Sequence, residues 1–221
     1  MDENRLNTSA KWKKIFCIVV LLFYFSYIWD PIGIPILSSL YSLSTFVVPV
    51  IMIPELIREL KKFKDNSKSL LFIPLGLVLL FAAQAVLWQI AMSIITSSMG
   101  ITLENANENN IKEMIAASPV FMTYMVCVHG PVLEELLYRY TGFGLLYEKN
   151  RFLAYAVPSL MFGIQHVAQA GIWGGDAYQL INMPGSILGG LVFAFLYGRT
   201  KNLWVPIGAH ILMNAVGTIL S

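Results

Sequence analysis

The chain has 221 residues, a formal net charge of +2, 57% hydrophobic residues and 13% charged residues, and its mean hydropathy is +0.65. A soluble domain carries about a quarter charged residues, so the composition excludes an ordinary water-solvated fold and points to lipid as the solvent. The net charge says little about partners, but no lysine- or arginine-rich tract is long enough to argue for nucleic acid, and none is expected as a partner.

In chain order, residues 1–14 read as a cytoplasmic N-terminal segment. Residues 15–221 read as a single transmembrane domain, an all-α polytopic bundle of seven or eight membrane helices. A spanning helix needs about 20 mostly apolar residues, and the candidates are 15–29, 36–54, 70–98, 116–147, 152–168, 184–199 and 203–220. The stretch "KWKKIFCIVVLLFYFSYIW" has the charged start and apolar middle of a signal peptide. It is followed by "DPIGIP" rather than a small-residue cleavage site, which makes it an uncleaved first span. The fourth candidate is too long for one simple crossing, and "HGPV" at 129–132 predicts a kink there or a division into two segments. "ENANENN" (104–110) reads as a solvated loop, and the small residues of "GSILGG" (185–190) as close helix packing. Cys17 and Cys127 sit in apolar runs, as small hydrophobic side chains rather than disulfide partners.

Basic residues orient the bundle. Lys11, Lys13 and Lys14 precede the first span, "ELIRELKKFKDNSK" follows the second, Arg151 follows the fourth and "RTK" the sixth. The alternate connections, "GITLENANENNIKE" and "GIWGGDAYQ", are mainly acidic or nearly uncharged. Seven crossings with a cytoplasmic N-terminus, a multi-pass protein of the cell membrane, satisfy this alternation.

Three polar clusters interrupt the apolar spans: "EELLYR" (134–139), "FGIQH" (162–166) and "HILMN" (210–214). A charged side chain at a membrane helix centre costs about 2.5–3.5 kcal/mol, so Glu134, Glu135 and Arg139 together cost on the order of 7–10 kcal/mol if unpaired. Glu135 and Arg139, four apart, can pair on one helix face. Glu134 is turned about 100° away and has no partner on its own helix. Phe162 with His166 and His210 with Asn214 share the four-residue spacing. At about 1.5 Å per residue, Glu134, His166 and Asn214 all lie about 20 Å from the basic ends of their spans, and His210 about 14 Å. The three spans can therefore bring them together. A carboxylate desolvated in this way suits general acid–base work, His166 can share activation of a water with it, and His210 and Asn214 offer the N–H donors of an oxyanion hole. His129, outside the clusters and just before Gly130–Pro131, is expected to bond a carbonyl freed at that break.

The ordered motifs EExxxR, FxxxH and HxxxN on separate membrane helices resemble those of the CPBP (Abi) family. These are intramembrane glutamic proteases that include type II CAAX prenyl endopeptidases and bacteriocin-processing enzymes. The resemblance covers about residues 116–221. It implies that Glu134 and His166 activate the attacking water, that His210 and Asn214 stabilise the oxyanion, and that Glu135, Arg139 and Phe162 support them. No metal and no other cofactor are expected. The implied partners are the bilayer and a peptide or membrane-protein substrate reaching the site from the cytoplasmic side, by analogy a signal, pheromone or bacteriocin-leader peptide. Tyr138 stands where members often have phenylalanine and Tyr140 where glycine is common, departures that bear on substrate fit. Two other readings stay open: a non-catalytic membrane protein conferring bacteriocin self-immunity, and a metal-dependent enzyme or transporter. HxxxN argues against the latter, because asparagine is a poor zinc ligand.

Overall fold

The computed structural model describes residues 12, 15–21, 35–83, 89–99, 106–175 and 177–220. Among these the protein is all-helical, without a strand. A helical stretch covers 15–21; the rest of the first expected span, 22–29, lies outside the described residues, as do 84–88 within the third. Then follow α1 (Pro35–Ile51), α2 (Ile53–Asp65), a 3₁₀ turn (Ser67–Leu71) leading into α3 (Phe72–Phe81), α4 (Gln89–Met99) and α5 (Ala106–Ala117). The second half comprises α6 (Pro119–Tyr147), α7 (Arg151–Val167) with a π-helical extension (Ala168–Trp173), α8 (Ala177–Thr200) and α9 (Trp204–Leu220).

Two helices, Pro119–Tyr147 and Gln179–Thr200, are long and apolar enough to cross a membrane among the described residues, and the other apolar helices are shorter. The expected count of seven or eight crossings therefore exceeds what these helices carry by length. The structure differs from expectation elsewhere too. The segment "ENANENN", expected as a loop, enters α5 from Ala106 onward; Ala106 and Glu108 are compatible with a helix. The sixth expected span begins earlier, at Ala177, because Pro184 is accommodated inside α8.

The bundle exposes large apolar side chains and buries several polar ones within an otherwise apolar core. Val50, Val78, Ile94, Val120, Phe152 and Ile219 are exposed, while Glu135, Arg139 and Thr141 have no exposed surface. Apolar surface turned outward, with charged groups facing the bundle interior, is what a lipid solvent favours. Helices α7 and α8 form the densest contact in the bundle. A methyl group at Gly190 would lie 3.0 Å from the Cα of Ser159, and one at Gly163 would lie 2.3 Å from Ile187 Cγ1, so both positions permit a close approach that larger residues would block. This bears out the packing reading of "GSILGG". Cys17 and Cys127 are buried and not joined in a disulfide.

Helix α2, expected as part of a basic connection, is amphipathic and docks against the turn between α8 and α9. Glu59 Oε2 accepts from Leu203 N at 3.1 Å, Glu59 Oε1 lies 2.6 Å from Lys62 Nζ, and Lys62 donates to the Lys201 carbonyl at 2.7 Å. Trp204 Nε1 donates to the Leu56 carbonyl at 2.8 Å. Lys201 takes a left-handed conformation, φ 53°, and Asn202 Oδ1 caps α9 through Trp204 N at 3.0 Å. Thus α2 fixes where α9 begins. Replacing Glu59 by Ala is expected to lower stability by about 1–3 kcal/mol, chiefly by orphaning the buried Leu203 N–H. Glu59→Gln, which retains an acceptor, should lose less. Thermal unfolding of the detergent-solubilised protein measures the difference, and equal losses would contradict it.

Candidate active site

The first part of α6 departs from α-helical geometry. Residues Met125–His129 form a π-helical turn, in which Gly130 N–H bonds to Met125 O, five residues back. At the same spacing, the N–H that would satisfy Val126 O belongs to Pro131, which has none. Asn214 Nδ2 of α9 supplies the missing donor, at 2.9 Å from Val126 O. The expected break at "HGPV" is thus a widened turn pinned by a neighbouring helix. The expectation for His129 is not met at that break: its imidazole bonds the Thr45 backbone and packs against Phe46 and Tyr124, with centroids 4.9 and 6.1 Å away, and Asn214 serves the freed carbonyl.

A second π-helical run, Glu135–Phe143, carries the acidic doublet. Arg139 Nε lies 3.2 Å from Glu135 Oε2, and both side chains are fully buried. Neither atom makes a hydrogen bond of good geometry, so this is an ion contact rather than a linear bond. Arg139 also donates from Nη2 to the Gly190 carbonyl at 3.0 Å, and its guanidinium lies 4.7 Å from the Phe162 ring centre and 5.1 Å from that of Phe193. The expected Glu135–Arg139 pair is present.

Glu134 finds its partner on α9. His210 Nδ1 is 3.0 Å from Glu135 Oε1 and His210 Nε2 is 3.7 Å from Glu134 Oε2, so one imidazole bridges the doublet. Since an ionised carboxylate only accepts, Nδ1 donates to Glu135. Phe193 stacks on the same imidazole at 4.4 Å and fixes its plane. A chain of polar contacts therefore runs from Arg139 through Glu135 and His210 to Glu134.

His166, on α7, directs Nδ1 to the Phe162 carbonyl at 2.8 Å. A carbonyl only accepts, so Nδ1 carries the proton and Nε2 is left as the acceptor in neutral imidazole. Phe162 is a packing element: its ring lies 4.2 Å from His166, 5.5 Å from Tyr138 and 6.0 Å from His210. Glu134, His166, His210 and Asn214 all line one cavity of about 680 Å³, together with Phe162. Glu135 and Arg139 lie behind it. Among the described residues no three His, Cys, Asp or Glu side chains are grouped to hold a metal ion.

Sequence reading missed three contributors. Phe193 orients His210, and Asn182 and Ser186 of α8 line the cavity. Asn182 and Ser186 share the four-residue spacing used to find the other clusters, but Asn182 lies before the expected start of its span. Tyr138 and Tyr140, expected to bear on substrate fit, do not line the cavity. Tyr138 bonds Gln165, and Tyr140 accepts from Arg58 Nη2 at 3.0 Å.

Comparison with known proteins follows the same residues. The family model of type II CAAX prenyl endopeptidase Rce1-like proteins matches residues 116–216, a range that contains Glu134, His166, His210 and Asn214. A Bacillus subtilis protein named as a candidate membrane peptidase, YdiL, is 33% identical over 191 residues, covering 83% of this chain and 72% of the relative. The membrane-embedded CAAX protease MroQ of Staphylococcus aureus is 30% identical over 144 residues, covering 62% of this chain and 53% of its own. The UPF0177 protein YvdC of Lactococcus lactis is 24% identical over 150 residues, 68% and 54% of the two chains. No solved structure matches.

Removing one member of the buried ion pair should cost more than removing both. Glu135→Leu strands the Arg139 charge and is expected to destabilise by about 3–5 kcal/mol, whereas Glu135→Leu with Arg139→Met should recover most of that loss. Thermal unfolding of the single and double variants gives the coupling, and additive losses would show that the two side chains do not pair.

Proposed function

The chain belongs to the Rce1-like type II CAAX prenyl endopeptidase family, and on that premise we propose that it is a metal-independent intramembrane endopeptidase of the glutamic type. Family membership points to membrane peptidase activity, and two relatives carry names of that kind. We take the chain as a single membrane domain with seven or eight crossings and a cytoplasmic N-terminus, its catalytic half at 116–221. The observation that carries the reading is the convergence of Glu134 with the imidazole of His210, 3.7 Å apart, in the cavity that His166 also lines.

In the proposed reaction a water held between Glu134 and His166 Nε2 attacks the substrate carbonyl carbon. Glu134 takes the proton and later passes it to the leaving amine as the carbon–nitrogen bond breaks. The oxyanion formed on attack is met by His210, through Nε2 when that nitrogen is protonated, and by the N–H of Asn214 that Val126 O does not use. Glu135 holds the ring of His210 through Nδ1, Arg139 holds Glu135 in turn, and Phe162 packs between them. The substrate is a membrane-associated peptide or protein.

Glu134→Gln keeps the shape of the side chain and removes the proton acceptor, so cleavage should fall by at least about 10²-fold while thermal unfolding is nearly unchanged. Comparing membrane proteomes of wild-type and Glu134→Gln cells for an accumulated precursor reads this whatever the substrate is. Undiminished processing in the variant would reject Glu134 as the base, and processing abolished by a chelator and restored by zinc would reject the metal-independent reading.

A further inference from the structure

The outer surface of α1 and α2 carries one continuous stripe. The join between the two helices keeps helical bonding: Met52 N–H bonds to Val48 O at 3.0 Å and Leu56 N–H to Met52 O at 2.9 Å. At about 100° per residue, Leu43, Phe46, Val50, Ile53, Ile57 and Leu60 fall within about 100° of one another around the helix. All six are exposed. The stripe is about 25 Å long at about 1.5 Å per residue, and it ends in charge. Lys61 and Lys64 continue it, and Lys68 follows in the 3₁₀ turn. These three lysines are exposed and make no ion pair or hydrogen bond among the described residues. Of the exposed side chains from Arg58 to Lys68, only Asp65 is acidic.

The charged end of the stripe lies where the two membrane-length helices stop. Lys62, beside Lys61, donates to the carbonyl of Lys201 at 2.7 Å, one residue past the end of Gln179–Thr200. Lys201 Nζ in turn lies 3.3 Å from the ring centre of Tyr147, the last residue of Pro119–Tyr147. Tyrosine and lysine at helix ends mark the boundary between acyl chains and headgroups. The stripe therefore passes from acyl depth, where it is apolar, to the headgroup layer, where it is cationic. Its back is already engaged, through Glu59 on Leu203 N, the Leu56 carbonyl on Trp204 and Arg58 on the Tyr140 hydroxyl at 3.0 Å. Contacts between membrane helices favour small residues, whereas this stripe is built of leucine, isoleucine, valine and phenylalanine. Its composition suits acyl chains.

We propose that the α1–α2 stripe is a binding site for an anionic phospholipid. The acyl chains lie along Leu43 to Leu60, the phosphate is held by Lys61 and Lys64, and Lys68 adds to the positive charge at that end. Basic residues at a bilayer surface favour anionic over zwitterionic lipid, whose own ammonium cancels its phosphate. None of the stripe residues lines the cavity, so the site is distinct from the one at Glu134. A lipid seated here backs the helix that sets the start of α9, and its binding stabilises that clamp.

The test needs no turnover. The full-length protein is placed in nanodiscs of equal parts phosphatidylcholine and phosphatidylglycerol, extracted in detergent and weighed by native mass spectrometry. Wild type should retain phosphatidylglycerol in preference to phosphatidylcholine. Lys61→Gln with Lys64→Gln should weaken that preference at least about tenfold, from about fivefold per lysine. Lys149→Gln with Arg199→Gln, which removes the same charge from the same end of the bundle, should leave it unchanged. All four side chains are exposed, so both variants should unfold like wild type in pure phosphatidylcholine. Equal retention by wild type and the Lys61/Lys64 variant, or an equal loss in the Lys149/Arg199 variant, would overturn the site. In detergent, phosphatidylglycerol should raise the unfolding temperature of wild type and inorganic phosphate should not. An equal rise with phosphate alone would show an anion site that needs no lipid, and a lipid-free dimer would give the stripe to a second copy of the chain. Either result overturns the proposal.

Discussion

The fully buried guanidinium of Arg139 sets the terms for the rest of the molecule. A charge in a low-dielectric interior is tolerated only when its surroundings answer it, and here the answer comes from three elements. Its own helix supplies Glu135, α8 supplies the Gly190 carbonyl, and the rings of Phe162 and Phe193 cover its faces. That arrangement in turn constrains the backbone: Gly190 must come close to α7, and only glycine there allows it. One consequence is that the second oxygen of Glu135 is free to hold His210, and His210 then reaches Glu134. The proposed catalytic carboxylate stands at the end of a chain that begins with a structural one.

The first half of the protein holds the second half in register. None of the three motifs lies before residue 116, yet α2 determines where α9 starts, through Glu59, Lys62 and the Leu56 carbonyl. Because His210 is only two turns into α9, a shift at Leu203 would be transmitted to the imidazole along a stiff helix. The bundle is hydrogen-bonded at its basic end, while the residues lining the cavity lie toward the other, so the fixed end and the cavity are segregated along its axis. A hydrolytic site within a bilayer would need both, a fixed constellation at depth and a path for water and peptide.

Much of the site is legible in the sequence because a membrane interior makes polar residues conspicuous. Glu134, Glu135, Arg139, His166, His210 and Asn214 stand out by the cost of leaving them unpaired, and the four-residue spacing of Glu135 with Arg139 predicts a contact that exists. Phe193 is invisible for the converse reason: an aromatic residue in an apolar span costs nothing and carries no signal, although it fixes the plane of His210. Asn182 is hidden by a span boundary placed too late, and Ser186 by its place in a stretch read as close helix packing. His129 is misassigned because a one-dimensional reading offers the nearest donor to a broken helix, while the actual donor, Asn214, is 88 residues away.

What the amino-acid sequence determined by itself was the solvent, the helical class, the polar residues that must find partners, and the family whose motifs they form. These follow from local quantities: transfer cost, helical period and spacing within one segment. The pairing of those residues across helices, the two widened turns of α6, the clamp of α2 on α9 and the position of the cavity toward one end were decided only in three dimensions. Each depends on how helices distant in sequence are offset along their axes, and that offset is set by packing at glycines, by buried hydrogen bonds and by prolines whose missing donors another helix supplies.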